Sequence, residues 1–252
     1  MIGPFGSQGP VPDARAEAPP DASPAARAET SPEAPPDLPL AAAPRRIGIF
    51  GGSFDPVHDA HLALARAALE TLRLDELLWV PARQPWQKAR GLAPAADREA
   101  MLRLAIAGEP RFTLSRIELE REGPGYTLDT VLALRAARPG ARWYLLIGQD
   151  QHAGFHTWHG WQQLLGLVTL AVAGRPGAPG AVDVQVLRAA HEPVALPMME
   201  VSATEIRRRI ARGLAIDDLV PAAVAGYIAR HSLYLDSPSR PPPPAQELNG
   251  HS

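Results

Sequence analysis

Between residues 45 and 235, short apolar runs alternate with amphipathic stretches of helical period, and no other feature limits the possible folds as much. RRIGIF (45–50) reads as a buried strand. His61 to Leu74 sets Leu62, Ala65, Leu69 and Leu72 along one helical stripe, and ELLWVPA follows as a second strand. Asp97 can cap a helix in which Met101, Leu104 and Ala105 face inward, and RFTLSRIELE then reads as a strand with alternating sides. TLDTVLALRAARPG is an amphipathic helix ending near Gly140. RWYLLIG is a buried strand, and LVTLAVA is another after a helix at Trp161 to Leu165. Repeated strand–helix crossovers of this kind favour an α/β, Rossmann-like parallel sheet with helices on both faces. Ligands in such sheets sit beyond the carboxyl ends of the strands, so chemistry is expected there.

Composition sets the limits of this unit. Residues 1–44 are dominated by Pro and Ala and carry almost no large apolar side chain, so they cannot offset the entropy of ordering and read as a disordered extension. Residues 236–252 (DSPSRPPPPAQELNGHS) have the same character, which leaves 45–235 as the folded domain. A net charge of −2 gives no general attraction to nucleic acid or an anionic membrane, and the expected partner is small. With no cysteine there is no disulfide framework, thiolate metal site or cysteine nucleophile. The first residues lack the basic start and apolar core of a signal peptide, and no later stretch approaches a membrane span. A cytoplasmic protein is therefore expected. No oligomeric state follows from these features.

The first chemical cluster lies immediately after the first strand, in IFGGSFDPVHDAHLALA (49–65). Gly51 and Gly52 permit close backbone approach, and the helix that follows aims amide hydrogens and a positive dipole end at the turn, as a phosphate site requires. His58 and His61, three apart at the helix start, share one face and can both donate hydrogen bonds to an anion, stabilising charge on a phosphoryl group in flight. Neither G-x-G-x-x-G nor G-x-x-x-x-G-K-[ST] occurs, which disfavours a dehydrogenase or a P-loop ATPase.

GGSFDPVHDAH resembles the T/H-x-G-H nucleotidyltransferase signature and, in this form, that of bacterial nicotinate-nucleotide adenylyltransferases. PARQPWQK (81–88), ADREAMLRLAI (96–106), PGYTLDTV (124–131), IGQD (147–150), FHTWHGW (155–161) and VSATEIRRR (201–209) fall in that family's order, so the resemblance covers nearly all of 46–235. It implies a fold of the nucleotidyltransferase type and transfer of the adenylyl group of ATP to nicotinate mononucleotide. The products would be nicotinate adenine dinucleotide, the precursor of NAD, and pyrophosphate. The mononucleotide phosphate would attack the α-phosphorus in line, without a covalent enzyme intermediate, so positioning and charge stabilisation would supply the catalysis. By the same resemblance His58 and His61 neutralise the transferring phosphate, and Gly51, Gly52, Ser53 and Phe54 hold the nucleotide. Ser202, Thr204 and Arg207 open a helix that holds the β- and γ-phosphates. Gly148 and Asp150 would meet the ribose of ATP. Tyr126, Thr127 and Trp158 would lie near the nicotinate base, on which aromatic rings stack. Trp161 is expected in the core.

Lys88, the only lysine in an arginine-rich chain, is assigned a point-charge role beside the phosphates. Two departures from the family pattern stand out: Ala60 replaces the usual glycine between the histidines, and Gln87 stands where many relatives have a histidine. Arg208 has two readings, a phosphate contact or a solvated basic face. His152, His156 and His159 have spacing that can bind zinc on one helix, but Gly154 and the resemblance argue against this, and no protein-bound metal is assigned. Magnesium is expected to arrive with ATP and to need few protein ligands. Two alternatives remain: the same chemistry on nicotinamide mononucleotide, alone or with dual specificity, and a noncatalytic nucleotide-binding module.

Overall fold

The computed structural model describes residues 43–83, 92–174, 182–195, 199 and 201–235. In chain order the elements are β1 (Arg46–Gly52), α1 (Asp59–Thr71), β2 (Glu76–Pro81), α2 (Ala95–Ile106), β3 (Phe112–Leu114), α3 (Ile117–Glu120), α4 (Thr127–Ala137), β4 (Arg142–Gly148) and α5 (Gln149–Ala153). A 3-10 turn at Phe155–Thr157 precedes α6 (Trp161–Leu165), β5 (Thr169–Gly174), α7 (Val184–Arg188), β6 (His191–Ala195), α8 (Ala203–Ala211) and α9 (Ala222–Arg230). The six strands form one sheet in the order β3-β2-β1-β4-β5-β6, with every pairing parallel.

The strands are apolar on both sides because both faces of the sheet are covered. Phe50, Leu77, Trp79, Tyr144 and Leu146 pack on one face with Leu62, Ala65 and Leu69 of α1, Met101 of α2, Ile206 and Ile210 of α8, and Val224 and Ile228 of α9. The residues between them in the strands, Ile47, Ile49, Leu78, Val80, Leu145 and Ile147, point the other way, onto Leu128, Val131 and Leu134 of α4, Leu164 of α6 and Val186 of α7. Each fully buried aliphatic side chain contributes roughly 1.5–3 kcal/mol.

The strand order reverses direction between β1 and β4, and the register shows that the two part there. β1 stays paired with β2 through Gly52↔Pro81, but its pairing with β4 ends at Phe50↔Leu146, while β4 continues alongside β5 to Gly148↔Ala173. The carboxyl ends of β1 and β4 therefore diverge and open a crevice at the switch point, where ligands of open α/β sheets bind.

Several sequence expectations change in detail. RFTLSRIELE is not one strand: β3 stops at Leu114, and Ile117–Glu120 forms a helical turn closed by the Arg116–Glu120 ion pair at 2.9 Å. In α2, Pro94 rather than Asp97 occupies the cap, and Leu104 is exposed. The inward residues are Arg98, Met101, Leu102 and Ile106. The sequence reading names no strand at 191–195; HEPVA is short and contains a proline, and it forms β6 at the sheet edge, where proline is tolerated. Trp161 packs, partly buried, against the second core cluster. Among the described residues no helix is long and apolar enough to cross a membrane.

Candidate active site

The crevice is floored by the turn that follows β1. Phe54 adopts φ 47°, a left-handed conformation uncommon for a non-glycine residue. It is held there by burial: its ring lies 5.4 Å from that of Phe50, 5.3 Å from Trp79 and 5.2 Å from His61. A Cβ at Gly52 would sit 3.0 Å from the Phe54 ring, so any larger residue there would press on that packed ring. At Gly51 a Cβ would meet nothing within 4 Å, so the strand end presents bare backbone to open space beside the crevice.

His58 and His61 meet at the start of α1. His58 is the N-cap and His61 the third helical residue, and their rings stack with centroids 3.7 Å apart. His61 Nδ1 accepts from the His58 amide at 3.3 Å, an arrangement that places the His61 proton on Nε2. His58 is buried, and burial lowers its pKa from 6.5 to about 4, so in the unliganded protein it is neutral near pH 7. Its Nδ1 has no hydrogen-bond partner among the described residues. A neutral imidazole over a helix N-terminus can donate to an anion and take up a proton as negative charge builds beside it.

Two residues that the sequence reading did not single out organise this turn. Arg98 is almost wholly buried and donates to four carbonyls, those of Ala93 (3.1 Å), Ser53 (2.9 Å), Ala82 (2.8 Å) and Arg83 (3.0 Å). One guanidinium thus ties the turn after β1 to the loop after β2 and to the entry of α2. Asp55, fully buried, accepts at Oδ1 from the Ala93 amide (3.0 Å) and the Tyr234 hydroxyl (2.7 Å). The signal for Arg98 was available, because it precedes Met101 and Leu102 by one helical turn on the inward stripe of α2, where an arginine must be neutralised or fully bonded. No periodic pattern links Asp55 to Tyr234.

α8 packs on the same face of the sheet as α1. Ser202 is its N-cap and accepts from the Glu205 amide at 3.2 Å, so its hydroxyl oxygen already serves the helix. Thr204 Oγ1 lies 3.4 Å from Arg207 Nη2, and Arg207 Nη1 donates to the Asp55 carbonyl at 2.7 Å. Arg207 is thereby brought against the turn that carries the histidines. Arg208 is exposed and ion-paired with Glu205, the solvated-face arrangement.

Gly148 caps α5 and donates its amide to Gln151 Oε1 at 3.0 Å; exposed Asp150 is the second residue of that helix, at the carboxyl end of β4. Tyr126 is the N-cap residue of α4 and Thr127 its first residue. Because α4 runs back antiparallel to the strands before feeding β4, this end of the helix lies at the same edge of the sheet as the crevice. The Tyr126 ring stacks on His159 at 4.2 Å, and Trp158 packs 5.0 Å from Phe155. His152, His156 and His159 do not share a helix. His152 lies in α5 beside His191, His156 lies in the 3-10 turn, and His159 is taken by Tyr126. Lys88 and Gln87 lie outside the described residues.

The pattern of the cytidylyltransferase-like family matches residues 49–209 of this chain. A curated protein of Bordetella petrii named "Probable nicotinate-nucleotide adenylyltransferase" is 53% identical over 196 residues, 75% of this chain and 99% of the relative. A protein of the same name from Methylibium petroleiphilum is 48% identical over 200 residues, 77% of this chain and 94% of its own. The solved structure of Plasmodium falciparum nicotinic acid mononucleotide adenylyltransferase complexed with NaAD superposes with a TM-score of 0.62 at 21% identity, over 75% of this chain and 97% of that one, and so shares the fold. The chain belongs to the nicotinate-nucleotide adenylyltransferases of the cytidylyltransferase-like family.

Proposed function

We propose that the chain transfers the adenylyl group of ATP to nicotinate mononucleotide, releasing pyrophosphate and forming nicotinate adenine dinucleotide. One observation carries this reading: the stacked His58–His61 pair at the start of α1 and the Arg207 guanidinium of α8 are both anchored to the turn between Gly52 and Asp59, at the point where β1 and β4 part. A polyphosphate laid across that turn would meet two imidazoles at its α-phosphate and a guanidinium beyond it. His58 and His61 would donate to the α-phosphate oxygens as the pentacoordinate charge develops, whereas Arg207 would hold the departing pyrophosphate. Ser53 and Phe54 complete the turn under the nucleotide, and Gly148 and Asp150 would face its ribose. Tyr126, Thr127 and Trp158 would receive the pyridine ring, with Lys88 beside the phosphates. The identity of the curated relatives favours the nicotinate over the nicotinamide acceptor.

Magnesium belongs to this reading as the ion carried by ATP. Asp55, the carboxylate that Arg207 touches, is already engaged by Ala93, Tyr234 and Arg207, so phosphate oxygens and water would supply most of its ligands. We place the activity in the cytoplasm; a chain without cysteine has no need of an oxidising compartment.

The test is pyrophosphate release by the purified chain with ATP and magnesium, offering nicotinate and nicotinamide mononucleotides separately, beside His61→Ala. Preference for the acid, lost in the variant, is expected. Equal use of both would make the enzyme dual-specific, and ATP binding without turnover would make the chain a noncatalytic nucleotide-binding module.

A further inference from the structure

α8 alone does not fix the guanidinium of Arg207. Its Nη2 lies a long 3.4 Å from Thr204, whereas Nη1 donates to the Asp55 carbonyl at 2.7 Å and lies 3.5 Å from Asp55 Oδ2. The pose of Arg207 therefore depends on Asp55, which precedes it by 152 residues. The Asp55 carboxylate is in turn oriented by what it accepts. Oδ1 takes the Ala93 amide and the Tyr234 hydroxyl, and Oδ2, which makes no hydrogen bond among the described residues, is left turned towards Arg207.

Tyr234 reaches Asp55 from the end of the described chain, 179 residues away in sequence. To deliver its hydroxyl the backbone takes left-handed φ at two non-glycine residues, 50° at Ser232 and 63° at Tyr234 itself. Such conformations persist only where their surroundings hold them, and they cluster at functional sites. Burial, and then the hydrogen bond to Asp55, push the phenol pKa up, so the hydroxyl remains a donor. A second phenol, that of Tyr227 in α9, donates to Asp97 at 2.8 Å and fastens the same carboxyl-terminal segment to α2. Tyr227 thus anchors the segment away from Asp55, and the Tyr234 hydroxyl is spent on the residue that Arg207 touches.

We propose that Tyr234 and Asp55 form a positioning relay that sets the Arg207 guanidinium for the β- and γ-phosphates of ATP, so that the end of the domain tunes nucleotide affinity without touching the nucleotide. The identity of the ligand rests on the adenylyl-transfer reading above. The bland alternative is that the hydrogen bond only fastens the end of the chain to the domain, and the two differ in what Arg207 does to the effect.

The experiment is a double-mutant cycle on the full chain. Tyr234→Phe removes one oxygen and keeps the ring. The ATP–magnesium Kd by titration calorimetry and the KM for ATP should both rise about three- to tenfold, with the KM for nicotinate mononucleotide unchanged. In an Arg207→Ala background the same substitution should leave the ATP Kd where Arg207→Ala alone puts it. Asp55→Asn, which keeps the shape and removes the charge, should raise the ATP Kd by a larger factor than Tyr234→Phe and serves as the second variant should Tyr234→Phe fold poorly. The relay is overturned if Tyr234→Phe lowers only the melting temperature, if it raises both KM values alike, or if its effect persists without Arg207. A wild-type chain that binds ATP yet adenylates no mononucleotide would remove the proposed reaction, and the ATP isotherms would still decide the relay. A chain with no affinity for ATP would overturn both.

Discussion

The turn after β1 and the aromatic rim around Tyr126 lie at the same end of the sheet, but they are held in opposite ways. The turn is buried and cross-linked over long stretches of chain, by Arg98 to Ser53 and Ala82, by Asp55 to Arg207 and by Tyr234 to Asp55. The rim is held by fewer and more exposed contacts. Tyr126 is exposed, stacks on His159 and accepts at its carbonyl from Thr130 one helical turn on, and Trp158 leans on Phe155 three residues earlier. A phosphoryl-transfer site works through donors that are already in place when charge develops, which a rigid, buried network supplies. A rim that recognises the acceptor base needs only a surface that can adapt to it. In this account the first region carries rate and stability together, and the second carries acceptor affinity alone.

The sharpest way to break that contrast is at Arg98. Arg98→Met would strip a donor from four carbonyls and leave Asp55 without its buried neighbour of opposite charge. A loss of about 3–5 kcal/mol is expected in urea denaturation, and a loss below that would mean the turn does not depend on its long-range ties. His61→Ala should cost less stability than Arg98→Met while lowering kcat by about a hundred- to thousandfold, the usual effect of removing a donor to transition-state charge. An unchanged kcat would take the histidine out of the chemistry.

His58 gives a pH signature. Its folded pKa, about 4, lies below the value of 6.5 expected in the unfolded chain, so between these values the unfolded state binds the extra proton. The stability that neutral His58 contributes is present above pH 6.5 and is lost as pH falls towards 4. The full effect is roughly 3 kcal/mol, from the size of the shift. Denaturation curves at pH 7 and pH 5 should therefore diverge more for the wild type than for His58→Asn, which suits an N-cap position and cannot titrate. Equal pH dependence would show that His58 is already solvated. The smallest effect is expected on the rim, where Trp158→Ala should raise the KM for nicotinate mononucleotide about three- to tenfold by loss of stacking and leave the KM for ATP alone. A matching change for ATP would erase the division between the two regions.

The parts of this molecule that follow from local pattern were legible in the sequence. RWYLLIG and the short helix at Trp161 to Leu165 stand where periodicity put them, and the strand–glycine–histidine turn marks the crevice. What could not be read depends on partners distant in sequence or on edges. β6 contains a proline that a central strand would not tolerate, and the helical turn in RFTLSRIELE forms at the opposite edge, past the end of β3. At the site, the motifs supplied His58, His61 and Arg207, but the residues that hold them, Asp55, Arg98 and Tyr234, act through hydrogen bonds of which the longest span 45, 152 and 179 positions. Of these, only Arg98 left a trace, as a charge on a buried stripe.

Direct in-line transfer is the core of the account, and the fate of the α-phosphorus tests it most directly. The purified chain would be incubated with ATP labelled at the α-phosphorus and nicotinate mononucleotide, followed by separation of dinucleotide, pyrophosphate and protein. The account predicts the label in the dinucleotide and in free nucleotide only, with unlabelled pyrophosphate appearing in equal amount to the dinucleotide. Label carried on the protein would contradict direct transfer between bound substrates, and label confined to AMP would contradict transfer to the mononucleotide.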